Sequence, residues 1–429
     1  MKKILLLLIT VFLLSTELDA RPQYSILASF GTKCSSCHTN AGYGGQRSFS
    51  GFLAKNSVGL LSYEDVGLGQ LYDLVGYSNE PVSGKLSFGM DVRIQNARWA
   101  QTSKLEEYPD PNADPPEGEL PPVVKPTLER QTMAMQLMPY LQYKATDWLN
   151  IDAMYNASYH TNEDMTYAGQ QPYSVSATIS PGGHIPDVRI GYFAPTISID
   201  YDDHTLLVRQ AIGAGRANPL IPVDMSELGV QLEYNEIPWL RASLGVFDSK
   251  SMSEVMIDDL PAVNEKTLST VYNLSFHPDW DFSLLGFDLN YFWGVSHYAN
   301  TQLKTDDGIY FGNNYYTISS AYFNVGLAEK LALMTEYIYS DKQSLRNVNN
   351  YLVELTYQII EPVNVFARYE AAETEFEESG RTFESNQYVF GAHIFPLPFI
   401  DILPEYRIYD RGDVGGTSAQ WAFQLHIFY

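Results

Sequence analysis

The chain has 429 residues, with 27 Lys and Arg against 51 Asp and Glu, a net charge of -24 and 2 Cys. That charge excludes nucleic acid as a partner, because a polyphosphate would be repelled rather than neutralised. Two cysteines exclude a disulfide scaffold, and a hydrophobic content of 45% excludes both a disordered chain and a bundle of membrane helices.

In chain order, the first predicted element is an address. Lys2 and Lys3 precede an apolar run over residues 4–14, and Ser15 and Thr16 lead to a small-residue stop at Ala20. A charged start, a short apolar core and a cleavable end predict a secretory signal peptide over residues 1–20. The run is too short for a membrane anchor, since a spanning helix needs about 20 residues. The expected mature chain starts at Arg21 and stays acidic.

Both cysteines fall in one pentapeptide, Cys34-Ser35-Ser36-Cys37-His38. This spacing sets two thiols on one side of a helical turn, where they add to the two vinyl groups of haem, and the next residue supplies the proximal imidazole. A thioredoxin-like redox pair would need a surrounding βαβ pattern, and none is visible. A structural zinc site would need two more Cys or His nearby, and residues 21–159 hold no others. The expectation is one haem c, with Cys34 and Cys37 as covalent attachment points and His38 as axial ligand. Residues 39–89 contain neither His nor Met, so the sixth position is open. The iron is either five-coordinate, bound by Lys55 or Asn40, or completed by a ligand from elsewhere in the chain. Residues 21–83 make a cytochrome segment near the lower size limit for an independent domain. In it Gly42, Gly44 and Gly45 break any helix, and Ser62 with Asp65 is expected to cap a short one running through Tyr72 to Val75.

From Lys85 the sequence alternates, with Leu86, Phe88, Met90, Val92 and Ile94 against Lys85, Ser87, Gly89, Asp91 and Arg93. Strict alternation predicts a strand with one apolar and one polar face, and it recurs at 133–143, 149–159, 188–199, 228–234 and onward. Tight connections are expected at 144–148, 201–204, 235–239, 277–281, 328–330, 361–364 and 396–399. Long polar stretches separate them, at 101–129, 161–184, 214–224, 249–266, 298–313, 341–349, 373–384 and 411–418. Seven tight turns join fourteen strands, and the first and last strands make sixteen. Short turns on one side and long loops on the other describe an all-β, transmembrane outer-membrane barrel of about 16 antiparallel strands over residues 84–429. Trp148, Trp239, Trp280 and Phe399 at the short turns predict one interfacial girdle, and Tyr315, Tyr316 and Tyr322 the other. In the last strand Trp421, Phe423, Leu425, Ile427 and Tyr429 share one face. A secreted sandwich or propeller is the competing class, but no blade repeat is found.

An N-terminal Cys34-Ser-Ser-Cys37-His38 ahead of a porin-like barrel resembles the fused monohaem cytochrome–porins of the bacterial outer membrane, similar to the iron-oxidising outer-membrane cytochromes. The specific match covers the five motif residues, and the rest of the resemblance is architectural. It implies a cytochrome segment plugging the lumen and passing electrons from extracellular Fe(II) to a periplasmic cytochrome or other carrier. Fe(II):cytochrome c oxidoreductase activity would be the catalytic form of that role.

Strand parity puts Met154, His160, His393 and His426 on inward faces, with His204 and His277 at short turns. Of these His426, near the periplasmic end of the last strand, is the nominated distal iron ligand. Carboxylates crowd two expected loops: Glu106, Glu107, Asp110, Asp114, Glu117 and Glu119 in one, and Glu373, Glu375, Glu377, Glu378 and Glu384 in the other. They suit Fe(II), and equally the divalent ions that bridge outer-membrane lipid head groups. The clusters around His184 and His204 lack a metal-ligand spacing. The competing functions are a diffusion porin with an accessory haem plug, an outward-running metal-reducing conduit, and a secreted β protein whose Cys pair is a disulfide. The strand count also leaves a homo-oligomer open, by analogy with porins of that size.

Overall fold

A computed structural model describes residues 38, 47, 49–53, 58–76, 78–80, 84–101, 108–109, 123–124, 130–157, 173–198, 206–213, 217–220, 226–248, 267–278, 282–284, 287–304, 310–328, 330–342, 345–377, 379–411 and 417–429. The signal peptide, Cys34, Cys37, Asn40 and Lys55, and the carboxylates from Glu106 to Glu119, lie outside the described residues.

The barrel strands are β1 (Leu86–Gln101), β2 (Arg130–Thr146), β3 (Leu149–Tyr155), β4 (Tyr173–Ile179), β5 (Asp187–Phe193), β6 (Glu227–Tyr234), β7 (Leu240–Asp248) and β8 (Thr267–Phe276). They continue as β9 (Phe287–Lys304), β10 (Tyr310–Leu327), β11 (Leu331–Lys342), β12 (Arg346–Ile360), β13 (Val363–Phe376), β14 (Arg381–Leu397), β15 (Ile400–Arg411) and β16 (Thr417–Phe428). Each pairs antiparallel with its neighbours, and β1 pairs with both β2 and β16, so the sheet has no free edge. A three-residue strand, Phe282–Leu284, doubles back on β9 at its turn and brings the sheet to 17 strands.

The alternation fixes which face meets what. On β1, Phe88, Met90 and Ile94 are exposed on the outside, while Ser87, Asp91 and Gln95 are buried inside. The same holds for Leu228 and Val230 against Gln231, and for Leu355 against Glu354. An apolar exterior around a polar interior reverses a water-soluble barrel and suits lipid, because strand pairing satisfies every backbone group and lipid solvates the outer side chains.

Six expected short turns fall at one end of the barrel, together with the start of β1 and the end of β16. The turn expected at 201–204 is different. Those residues lie outside the described set, and the connection actually joining two wall strands there spans 180–186, between β4 and β5. Gly182 and Gly183 carry that turn in the left-handed region, at φ 79 and 67. The stretch expected as a loop at 161–184 therefore contains β4. Residues 194–226 run between β5 and β6, which pair directly with each other.

Several expected loops are instead extensions of long strands. The β9–β10 ladder runs from Leu289↔Leu327 to Lys304↔Tyr310, and Glu373, Glu375 and Glu384 lie within β13 and β14. Polar residues there continue the pairing beyond the membrane rather than ending it.

Trp148 and Trp239 stand exposed at the short-turn end as expected, and Trp239, Phe276 and Trp293 form a stacked row. Phe399 does not join them, since its ring is buried inside the mouth, and Trp280 is outside the described residues. Tyr316 and Tyr322 face the lumen, because Phe323 between the inward positions takes the lipid side. The opposite girdle is built from Tyr351, Tyr369 and Tyr388, with the Tyr406–Trp421 pair beside it.

Candidate functional site

Ahead of β1, two short helices, α1 (Phe49–Leu53) and α2 (Gly69–Val75), dock on the short-turn end of the barrel. The expected cap is elsewhere. The Ser62 and Asp65 side chains bond each other and close a turn over 62–67, while α2 starts from Leu68 without a side-chain cap. Ser62 N–H, then its hydroxyl, hold the Asp65 carboxyl below the usual carboxylate range.

Docking rests on an aromatic collar. Inward positions near the ends of β14, β15 and β16 carry Phe395, Phe399 and Phe428, where the parity elsewhere supplies His393, Asp401 and His426. Phe52 of α1 is fully buried among them, its ring 5.1 Å from Phe399 and 5.3 Å from Tyr429. Arg47 lies 4.8 Å over the Phe428 ring, and its charge bears on Asp91 of β1. Backbone bonds from Leu60 to Phe395 O (2.8 Å) and from Leu61 to Pro396 O (3.0 Å) tie the segment to the wall. Gly59 passes so near the 398–399 turn that a Cβ there would meet Pro398 Cδ at 2.8 Å. Tyr63 Oη donates to Pro398 O, and Tyr429 Oη donates to Ser78 O.

His38 is half-buried, and its backbone bridges to Arg47 in antiparallel fashion. The structure therefore brings the motif histidine to the same end of the lumen as His426. There His426 Nε2 meets Asp91 Oδ1 at 2.9 Å, and His393 Nδ1 meets Asp401 Oδ2 at 2.8 Å. Asp401 and His426 are cross-strand partners, so the two His–Asp pairs stand side by side. Met154 keeps its inward position on β3. His277 ends β8, stacked on Phe292 and bonded to Ser275, and His184 is exposed on the 180–186 turn. His160 and His204 are outside the described residues. Among the described residues no group of three or more His, Cys, Asp or Glu is placed to hold a metal ion.

A second structure fills the lumen farther in. Between Phe193 and Glu227, residues 194–198, 206–213 and 217–220 lie inside the barrel against its inner wall. Ser198 N–H donates to Ser296 Oγ (2.6 Å), its hydroxyl lies in hydrogen-bond contact with Ser320 Oγ and the accepting Glu336 carboxylate, and its carbonyl accepts from Asn273. These contacts hold Ser198 at φ 64, a conformation a serine rarely adopts unforced. Val208 N–H reaches Glu370, Ile212 N–H reaches Thr374, and the Asn350 amide reaches the Val208 and Gln210 carbonyls. Arg209 pairs with Glu336 at 3.4 Å. Around these bonds Leu206, Val208 and Leu220 pack with inward residues of the wall such as Ile318, Met334 and Leu352. Beyond them Arg368 bridges Glu354, Glu370 and Glu405, and buried charges of this kind persist only when mutually compensated.

Sequence reasoning missed the collar, Arg47 and Glu336. The collar had a signal, since Phe395 and Phe428 fall in phase with polar inward positions. The partners of Arg47 and Glu336 come from distant strands and had none.

Closure, an apolar outer band between aromatic girdles, a polar bore and both ends of the barrel domain on the short-turn side define the class. This is a sixteen-stranded outer-membrane β-barrel of the porin type, with its short turns on the periplasmic side. No protein-family model matches the sequence, and a search of curated proteins finds no relative. Solved structures similar to it include several outer-membrane proteins. OprB of Pseudomonas putida gives a TM-score of 0.48 at 10% identity, covering 87% of this chain and 99% of that one. The outer-membrane channel DcaP of Acinetobacter baumannii gives 0.46 at 10%, covering 81% and 99%. OmpT of Vibrio cholerae gives 0.45 at 12%, covering 80% and 97%. These figures describe a loose likeness of architecture, and the class rests on the geometry of this chain.

Proposed function

We propose that this porin-type barrel is an electron-transfer protein carrying one haem c at Cys34, Cys37 and His38 on the periplasmic side of its lumen. The observation that carries the reading is the tether. His38 is backbone-paired with Arg47, and Arg47 and Phe52 are seated in the collar, so His38 is held where the bore meets the periplasm, which supports the reading. The donor set fits the group, because two thiols separated by two residues and a following imidazole are what covalent haem requires. When bound, the haem supplies a one-electron couple at that mouth.

The chain's own residues do the rest. Cys34 and Cys37 anchor, His38 ligates, and the collar fixes the segment on the barrel. His426 as distal ligand would have to give up Asp91 or bind through Nδ1, because its Nε2 is engaged. The barrel insulates this position from lipid, and in this reading extracellular Fe(II) is the electron donor and a soluble periplasmic carrier on the near side the acceptor. An outward-running metal reductase would use the same parts. A diffusion porin with the haem segment as an accessory plug is the second reading, favoured by the porin-type wall and its in-folded segment.

The test is a spectrum of detergent-extracted protein, made in a host competent for haem attachment and titrated anaerobically with Fe(II). A c-type reduced spectrum appearing on Fe(II) addition, and lost with Cys34→Ser/Cys37→Ser, supports the reading. Covalent haem that answers dithionite but not Fe(II) removes the iron donor. Absence of haem, together with steady ion conductance in planar bilayers, leaves the porin.

A further inference from the structure

The docked N-terminal segment also carries large apolar side chains that are not part of the collar. Leu61, Val66 and Leu68 are 42%, 42% and 45% exposed, and neither the bore nor the strand wall uses them. Glu64 and Asp65 stand exposed between them. Residues 58–80 contain Glu64, Asp65, Asp73 and Glu80 and no Lys or Arg. The patch is not loose, because Leu60, Leu61 and Tyr63 bond to Phe395, Pro396 and Pro398 at the periplasmic rim. Large apolar side chains held in water at a fixed place mark a contact surface. Carboxylates among them oppose lipid phosphate and favour a positively charged partner.

We propose that Leu61, Val66 and Leu68, rimmed by Glu64 and Asp65, form the docking surface for a soluble periplasmic electron carrier whose contact face is apolar at its centre and ringed by lysine or arginine. The carrier's redox role rests on the electron-transfer reading above, while the surface itself does not. An apolar centre gives the contact its strength, and the charged rim steers encounter and lets the complex part in salt, as a shuttle requires. The patch is tied to the same rim at which His38 is tethered through Arg47, so a partner seated on it lies at the end of the barrel that holds His38.

The full chain in lipid nanodiscs is tested for binding to a soluble, lysine-rimmed cytochrome c across a salt series. Binding by the native chain is expected to weaken steadily as salt rises. Leu61→Ser/Val66→Ser/Leu68→Ser is expected to raise Kd about tenfold with an unchanged salt slope, consistent with lost apolar burial. Glu64→Gln/Asp65→Asn is expected to flatten the slope, while Glu375→Gln/Glu377→Gln, exposed at the opposite end of the barrel, changes nothing. Heat-modifiable electrophoretic mobility confirms that each variant keeps its barrel. No binding by the native chain overturns the proposal, as does binding indifferent to both substitution sets. A spin label at Val66→Cys reporting a lipid rather than an aqueous environment also overturns it. If the native chain binds the probe but carries no haem, the electron-transfer reading fails and the docking surface stands.

Discussion

Two segments occupy the bore, and they are held by different physics. The described residues between 194 and 226 lie in the lumen as part of the wall's own chemistry: their backbone groups donate to and accept from inward side chains of six strands, over a continuous apolar core. The N-terminal segment is held at the mouth by one small aromatic socket, one cation over a ring and a few backbone bonds. The first cannot leave without exposing buried carboxylates, arginines and amides together. The second can leave by withdrawing Phe52 and Arg47, with the strand ladder intact behind it. A barrel can thus contain both a permanent filling and a separable module, and the number of buried polar partners distinguishes them.

The strongest way to break this contrast is at Glu336, where Ser198, Ser320 and Arg209 converge. Glu336→Leu removes a carboxylate from a buried charged network and should cost about 3–5 kcal/mol. It is expected to lower the temperature at which the barrel loses its folded electrophoretic mobility, with the N-terminal segment still docked. Phe52→Ala should give the opposite pattern. Emptying the socket costs about 3 kcal/mol of docking and little barrel stability. Proteolysis ahead of residue 84 should accelerate at unchanged barrel melting, and planar-bilayer conductance should rise. Equal loss of both in either variant would mean that the two segments form one cooperative unit.

Two smaller effects sharpen the comparison. Tyr316→Phe removes the hydroxyl that donates to Leu220 O at 2.8 Å and should cost the internal segment about 1 kcal/mol, seen in barrel melting alone. Ser62→Ala, the mildest, should let the Asp65 carboxyl rise toward its ordinary value. Because that carboxyl is depressed in the folded chain, its contribution is present above the ordinary carboxylate pKa and fades as pH falls through the depressed value. Because the Ser62 N–H remains, the substitution should weaken rather than abolish an acid-dependent loosening of the 62–67 turn, measured as protease sensitivity against pH, with no change in the bore.

Much of the fold was legible because a strand has a period of two and lipid sorts its faces. Phe88, Met90 and Ile94 announced their side, as did Trp421 and Phe423 in the last strand. The strand total came out right although one turn was misplaced. The run after Phe193 continues an apolar pattern, as buried segments do whether they lie in a wall or across a bore, and β4 was read as loop because its neighbours are polar. The short hairpins at 343–345 and 377–380 were overestimated for a related reason: pairing continues above the membrane on polar residues, which composition reads as loop. In the candidate site the Cys34–His38 motif was visible because its chemistry is local. The collar was half visible, in Phe395 and Phe428 out of keeping with their polar neighbours, but nothing in the sequence named Phe52 as its occupant.

By itself the sequence determined the class, a closed outer-membrane barrel behind a short Cys-X-X-Cys-His segment, because alternation, turn spacing and motif spacing are near-neighbour properties of the chain. Only the tertiary structure decided what fills the bore and where the N-terminal segment rests. Those outcomes depend on contacts between residues up to several hundred positions apart, such as Tyr429 with Ser78 and Ser198 with Glu336. Such contacts follow from the curvature that brings β1 to β16 and from the inward side chains that the closed wall happens to oppose.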